Sequence, residues 1–353
     1  MKHIPSSYRH DHKNAPACAP RPAASRAPAG RKFFSVVFLP MLSLSLCLGG
    51  GRAFKNFYAQ GTQEPQPSAE NSLNDAEWQD MGAALGKLAG GYGGRVGIYL
   101  KDLNTGKVWE YNPDRLFTAA SLIKLPIMVS VCQKIKRGEL SLDTRLKLTR
   151  RDRAGGSGSL QWAREGTSLS VTEIVYKMIT ESDNTATKML LDNSGFDYFQ
   201  RAFAGLGLVY TSISPEGMSL TSSRVSRENY TTAREMAGLM ESIYRREAVD
   251  EASSDFMLEV LKHNKSRSRL KKGLPLGWEL GHKTGLLRRS CHDVGIVFSP
   301  RGNYIIAVLT GEVPDYSSAK EFITRVAKQT YKVYKFDAAF ASAARARTDE
   351  KNM

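Results

Sequence analysis

"HDVGIVFSPRGNYIIAVLTG", residues 292–311, decides the fold. Two runs rich in Val, Ile and aromatic residues flank Pro-Arg-Gly-Asn, a turn sequence, and such a pair reads as a β-hairpin. Helical spacing follows: Phe322, Ile323, Val326 and Val333 line one face of a terminal helix. The front of the chain mirrors this. A helical segment from Asp75 to Leu88 leads, after a Gly-rich break, into "GRVGIYLKDL", the turn "NTG" and "KVWEYN", residues 94–112, a second hairpin.

Between the hairpins the pattern is helical. Val171, Ile174, Val175, Met178 and Ile179 follow the i, i+3, i+4, i+7, i+8 spacing behind a capping box of Ser170 and Glu173, and another helix runs from Thr232 to Tyr244. No convincing strand and no internal repeat occur there. Strands at both ends with helices between imply an α+β sandwich: a sheet closed by both chain ends, helices packed on it, and a mostly helical insertion. A cleft between sheet and insertion is the natural place for a site.

The formal charge of +15 suggests nucleic acid until it is divided along the chain. Residues 1–56 carry nine Lys/Arg and one Asp, so the surplus sits mostly in the leader. With no aromatic-interleaved basic patch and no zinc-finger spacing, no nucleic-acid partner is expected. Residues 1–32 form a basic tail. Arg31 and Lys32 precede an apolar run from Phe33 to Gly51, a signal peptide or a signal anchor, so export to the periplasm or the cell exterior is expected. Left uncleaved, the run is a membrane tether. Residues 52–74 read as a Gln/Pro/Ser-rich linker, 75–337 as the folded body and 338–353 as a tail. Cys18 and Cys47 lie in the leader, and Cys132 and Cys291 in the body read as free buried thiols.

Ser-x-x-Lys occurs three times, as Ser121/Lys124, Ser268/Lys271 and Ser317/Lys320. Two further tripeptides select among them: Ser182-Asp183-Asn184, and Lys283-Thr284-Gly285. Only Ser121 lies upstream of both, 61 residues before Ser182, with Lys283 following Asn184 by 99. Ser-x-x-Lys, Ser-Asp-Asn and Lys-Thr-Gly in this order, flanked by "ESDNTATKMLL" and "NYTTAREMAGLM", resemble the class A serine β-lactamases and their penicillin-binding relatives. The resemblance covers nearly the whole folded body.

It implies a five-stranded antiparallel sheet with helices on both faces and a serine hydrolase that opens a β-lactam through an acyl-enzyme on Ser121, as a monomer with no metal and no cofactor. A serine at a helix start and a lysine one turn later share a face, and a buried lysine near other cations gives up its proton more readily, so Lys124 is the candidate base. By the resemblance Ser182 relays a proton to the leaving nitrogen, Asn184 contacts the substrate amide, and Lys283 with Thr284 and Gly285 anchors its carboxylate. Backbone N–H groups of Ser121 and Leu286 would hold the oxyanion. Asp183 is expected to be structural.

Two departures stand out. The loop between Asn184 and Asn229 lacks the family's Glu-x-x-x-Asn. Glu216 is the only acidic residue near the right place, one position early, so it is either the deacylating base or an ordinary loop carboxylate. Leu286 stands where the family more often has a small or hydroxyl side chain. Arg288 and Arg289 are carboxylate partners or solvated turn residues. A D-Ala-D-Ala peptidase or esterase acting on a peptidoglycan-like substrate, and a non-turnover penicillin-binding sensor, are the alternatives. His282 and His292 flank the Lys-Thr-Gly strand without metal-ligand spacing, and "GGSGS" at 155–159 reads as a loop rimming the cleft rather than a phosphate loop.

Overall fold

The computed structural model describes residues 73–335, apart from 221–223 and 314. The leader with Cys18 and Cys47, most of the linker and the C-terminal tail lie outside the described residues.

Helix α1 (Asp75–Gly90) starts at a capping box in which Asn74 and Glu77 satisfy each other's backbone N–H groups. Strands β1 (Arg95–Asp102) and β2 (Val108–Tyr111) form the first hairpin. Then come β3 (Phe117–Thr118), a 3-10 turn (Ala120–Ile123), α2 (Lys124–Lys136), β4 (Arg145–Lys147), β5 (Ser168–Ser170), α3 (Val171–Thr180), α4 (Asn184–Ser194) and α5 (Phe196–Gly205). After β6 (Tyr230–Thr231), α6 (Ala233–Tyr244), α7 (Glu251–Lys262) and the short α8 (Leu270–Gly273), strands β7 (Glu279–Leu287), β8 (Ser290–Phe298) and β9 (Tyr304–Gly311) close the sheet before α9 (Tyr316–Tyr334).

The order β2-β1-β9-β8-β7 makes one five-stranded sheet, antiparallel at every pairing. The last strand in sequence sits at its centre, between the two hairpins' first strands. That position explains why "YIIAVLTG" is apolar without alternation: every residue of β9 is buried. Ile306 and Val308 join Ile98 and Leu100 in a core with Met81 and Leu85 of α1 and Phe322 and Ile323 of α9. Ile305, Ala307 and Leu309 join Val294 and Ile296 in a second core with α2, α3 and α6. Each such Val, Leu, Ile, Met or Phe side chain contributes about 1.5–3 kcal/mol by leaving water, so two cores on opposite faces fix the sheet between two helical layers.

The α3 capping box is present, with its five spaced apolar residues all buried. Thr232 caps α6 through the Glu235 N–H. Two small pairings, β3 with β6 and β4 with β5, were not expected within the helical middle. Strands of two or three residues are too short to show a period of two. Cys132 and Cys291 are both free and buried.

Candidate active site

Ser121 enters the site on a strained approach. Ala119 N donates to Asn229 O at 2.7 Å, and Ala120 takes a φ of 47°, a conformation costly for an L residue. Behind it, His292 Nε2 meets Thr118 O at 2.8 Å and its Nδ1 accepts from Thr310 N. Burial lowers His292 to about 4, so the ring is neutral and serves as a donor on one side and an acceptor on the other. The 3-10 turn carrying Ser121 runs directly into α2, whose first nine residues, from Lys124 to Cys132, are buried. Apolar packing on every side therefore holds Ser121 and Lys124 on one rigid element.

Lys124 is 1% exposed. Its Nζ donates to Ser182 O at 2.5 Å, Asn184 Oδ1 at 2.7 Å and Ser182 Oγ at 3.2 Å. Burial brings its pKa down to about 7, against the charge of Asp183, which acts in the opposite direction. A neutral lysine, able to take a proton, is thus accessible near neutral pH.

Ser182 sits between α3 and α4 with a φ of 55°. Asp183 is fully buried and caps α4: its Oδ1 accepts from Ala186 N and its Oδ2 from Leu160 N, both at 2.8 Å. The glycine loop at 155–159 rims this corner. Asn184 N donates to Ser157 O and Asn184 Nδ2 to Gly155 O, while Ser157 Oγ donates to Ser182 O. Gly158, at φ 100°, admits no side chain, since a Cβ there would lie 2.2 Å from the Asp183 carboxyl carbon.

Lys283 arrives on β7. It is fully buried, and its Nζ donates to Ser182 Oγ at 3.0 Å and Thr284 O at 2.9 Å. Burial, then the charges of Lys124 and Arg269, hold its pKa well below the usual lysine range. Gly285 lets β7 run close beside the serine turn: a Cβ there would lie 3.3 Å from Ala120 Cβ and 3.4 Å from Ala119 O. Thr284 is half-buried, and Leu286 is 40% exposed at the rim.

Asn264, which carries no motif, joins the segment leading into the Ser182 loop to the strand that carries Lys283. Its Nδ2 donates to Ile179 O and to His282 O, both at 3.1 Å, just before the Ser182 loop and just before Lys283. Lys265 N adds a bond to Thr180 O. His282 in turn pairs with Asp293 at 2.8 Å, both buried, and Asp293 Oδ2 accepts from Leu270 N.

Glu216 opens a short 3-10 turn (Glu216–Met218) and is exposed, with no side-chain hydrogen bond or ion pair to a described residue. The next position is Gly217, where a Cβ would lie 2.1 Å from Asn229 Oδ1. Leu220 Cδ1 and Asn184 Nδ2 both face Gly156, 3.4 and 2.8 Å from the point where it would carry a Cβ. Arg288 does not behave as a solvated turn residue. Its side chain is buried, pairs with the buried Glu228 at 3.3 Å and donates to Ser219 O, fastening the loop to the β7–β8 hairpin. Arg289 donates to Val313 O. The two other Ser-x-x-Lys pairs lie apart from this cluster, one at α8 and one on α9.

Residues 81–334 match the beta-lactamase enzyme family. The chain is 26% identical to beta-lactamase VEB-1 of Pseudomonas aeruginosa over 255 residues, 68% of this chain and 85% of that protein. With a beta-lactamase of Streptomyces albus G it shares 28% identity over 251 residues, 68% and 78% of the two chains. Among solved structures, PBP-A superposes with a TM-score of 0.67 at 28% identity, covering 72% of this chain and 96% of that one. A mutant of PBP-A, solved as an acyl-enzyme complex with penicillin G, gives the same TM-score at 27% identity and the same coverage. A beta-lactamase from Sphaerobacter thermophilus gives 0.66 at 32% identity, covering 72% and 98%. With the family matched over most of the chain and the fold matched over nearly all of those relatives, this chain belongs to the beta-lactamase enzyme family.

Proposed function

We propose that this protein is a serine hydrolase that takes the amide of a β-lactam onto Ser121. The observation that carries the reading is one hydroxyl, Ser182 Oγ, held between Lys124 Nζ at 3.2 Å and Lys283 Nζ at 3.0 Å. Ser121 Oγ forms a bond to the lactam carbonyl carbon while its proton passes to neutral Lys124. The oxyanion is held by the N–H groups of Ser121 and Leu286. As the carbon–nitrogen bond breaks, Ser182 gives its proton to the departing nitrogen and is refilled from Lys124 through their hydrogen bond. Asn184 contacts the acyl amide, and Lys283, Thr284 and Gly285 hold the substrate carboxylate. Water then cleaves the ester, with Glu216 or Lys124 as base.

A second reading has a specific observation in its favour. Glu216 is exposed and its carboxylate is held by no described residue, so with no positioned base the acyl-enzyme would persist and the protein would act as a penicillin-binding sensor. Intact-protein mass spectrometry after mixing with a penicillin separates the two. A transient adduct with linear product formation supports hydrolysis, a lasting adduct supports binding, and no adduct sinks both. Ser121→Ala must abolish the adduct. Cleavage of acyl-D-Ala-D-Ala peptides with no reaction on penicillins would assign the peptidase activity instead. Export of the protein is part of the same proposal, supported by Arg31 and Lys32 ahead of the apolar run.

A further inference from the structure

Beside the Asn264 clamp lies a cavity of about 360 Å³ whose wall carries Lys262, Lys265, Arg267 and Lys271 against a single acid, Glu279. The lining is therefore strongly cationic, although the molecule outside its leader is only mildly basic. Lys262 is paired with Glu279 at 3.1 Å, and Lys265 with Glu181 at 2.6 Å. Arg267 is exposed and has no carboxylate within ion-pair distance among the described residues. Lys271 Nζ donates to a carbonyl, Trp278 O, at 2.8 Å.

Two cations without a carboxylate of their own thus line one cavity. Burial first, and then the charge of Arg267, lower the pKa of Lys271, while the charge of Glu279 across the cavity acts in the opposite direction without pairing to it. An anion between them would relieve that repulsion, and the partners suit a tetrahedral dianion: a guanidinium supplies two parallel donors and an ammonium a point charge. The volume exceeds that of one phosphate and lies within the range of small-molecule pockets.

We propose that this cavity is a binding site for a phosphate-class dianion, carried on a soluble small molecule or on a lipid headgroup. The site is distinct from the Ser121 cleft, and Asn264 and His282 in its wall are the residues that adjoin Lys283.

Inorganic pyrophosphate, titrated into the purified chain by calorimetry at fixed ionic strength, tests the proposal without relying on the serine chemistry. Saturable binding at one site is expected, weakened about 10-fold or more in Arg267→Glu, a surface change that spares the core. Lys271→Met, tested in parallel, must also weaken it. Sedimentation with phosphatidylcholine vesicles containing phosphatidic acid, whose headgroup is a phosphate monoester, against plain phosphatidylcholine vesicles as control, distinguishes the sources. Arg267-dependent sedimentation competed by pyrophosphate assigns a lipid headgroup, and pyrophosphate binding without sedimentation assigns a soluble ligand. Absence of saturable pyrophosphate binding, or binding unchanged in Arg267→Glu, would overturn the proposal.

Discussion

Lys124 and Lys283 reach the same hydroxyl, Ser182 Oγ, from two different elements. Two ammonium groups around one oxygen repel each other, and burial penalises both, so one neutral lysine is the cheaper state. Lys124, at about 7, changes charge near neutrality. Only its neutral form accepts the Ser121 proton, so the acylation rate should climb with pH through about 7 and level off above. Lys124→Arg, which stays charged, should cost roughly 10²–10⁴-fold in acylation rate and remove the rise. Stopped-flow acylation by a chromogenic cephalosporin between pH 5 and 9 measures both, and a flat profile in the parent protein refutes the assignment.

Glu216 gives the sharpest contrast of magnitudes. A positioned general base is worth roughly 10²–10⁴-fold, whereas an exposed carboxylate holding nothing is worth little. Glu216→Gln should change the lifetime of the penicillin adduct by less than about 2-fold, well below that range. A hundredfold longer adduct would establish Glu216 as the deacylating base.

The Asn264 clamp should act on rate without touching substrate. Asn264→Ala and Asn264→Asp both lose the donors to Ile179 O and His282 O, while the aspartate keeps an acceptor for Ser266 N. If the clamp positions Lys283 against Ser182, both variants should lose about 10-fold in acylation kcat/KM, about 1.4 kcal/mol of barrier. Loss in the alanine variant alone would mean that Asn264 matters only for its own turn.

What the sequence makes legible follows from where each feature gets its signal. β8 and β9 were legible because burial on both faces leaves an apolar run bounded by Pro and Gly, and the α3 cap because its partners are three residues apart. Ser121, Ser182 and Lys283 were legible through three motifs in order, and the structure brings Lys124, Ser182, Asn184 and Lys283 within hydrogen-bonding reach. Asn264 was not, since its partners are carbonyls 85 and 18 residues away and any sequence supplies carbonyls. The Arg288–Glu228 pair was hidden for a related reason: two charged residues in loops look solvated until the fold buries them.

That pair carries a stability prediction. Removing one partner of a buried ion pair leaves an uncompensated charge and costs about 3–5 kcal/mol, whereas removing both is often near neutral. Arg288→Met should lower unfolding free energy by about that amount, and adding Glu228→Gln should restore most of it. Urea unfolding of the two single variants and the double variant gives the coupling directly, and additive losses would show that the pair is not a unit.

His292 ties stability to pH, with a sign that follows from linkage. Buried with its ring between Thr118 O and Thr310 N, it has a pKa of about 4 against the 6.5 of a free imidazole. Between those two pH values the unfolded chain carries a proton that the folded chain rejects, so stability from this group is full above 6.5 and falls as pH drops toward 4. The loss is about 3 kcal/mol, at 1.36 kcal/mol per pH unit. Carboxylates add their own acid dependence, so the test is a difference. His292→Gln, which keeps a donor for Thr118 O and cannot titrate, should be less stable than the parent at pH 7.5 and should close the gap by about 2.5 kcal/mol at pH 4.5. Parallel curves for the two proteins would mean that the imidazole is protonated in the folded state, and the acceptor role given to Nδ1 would fall with it.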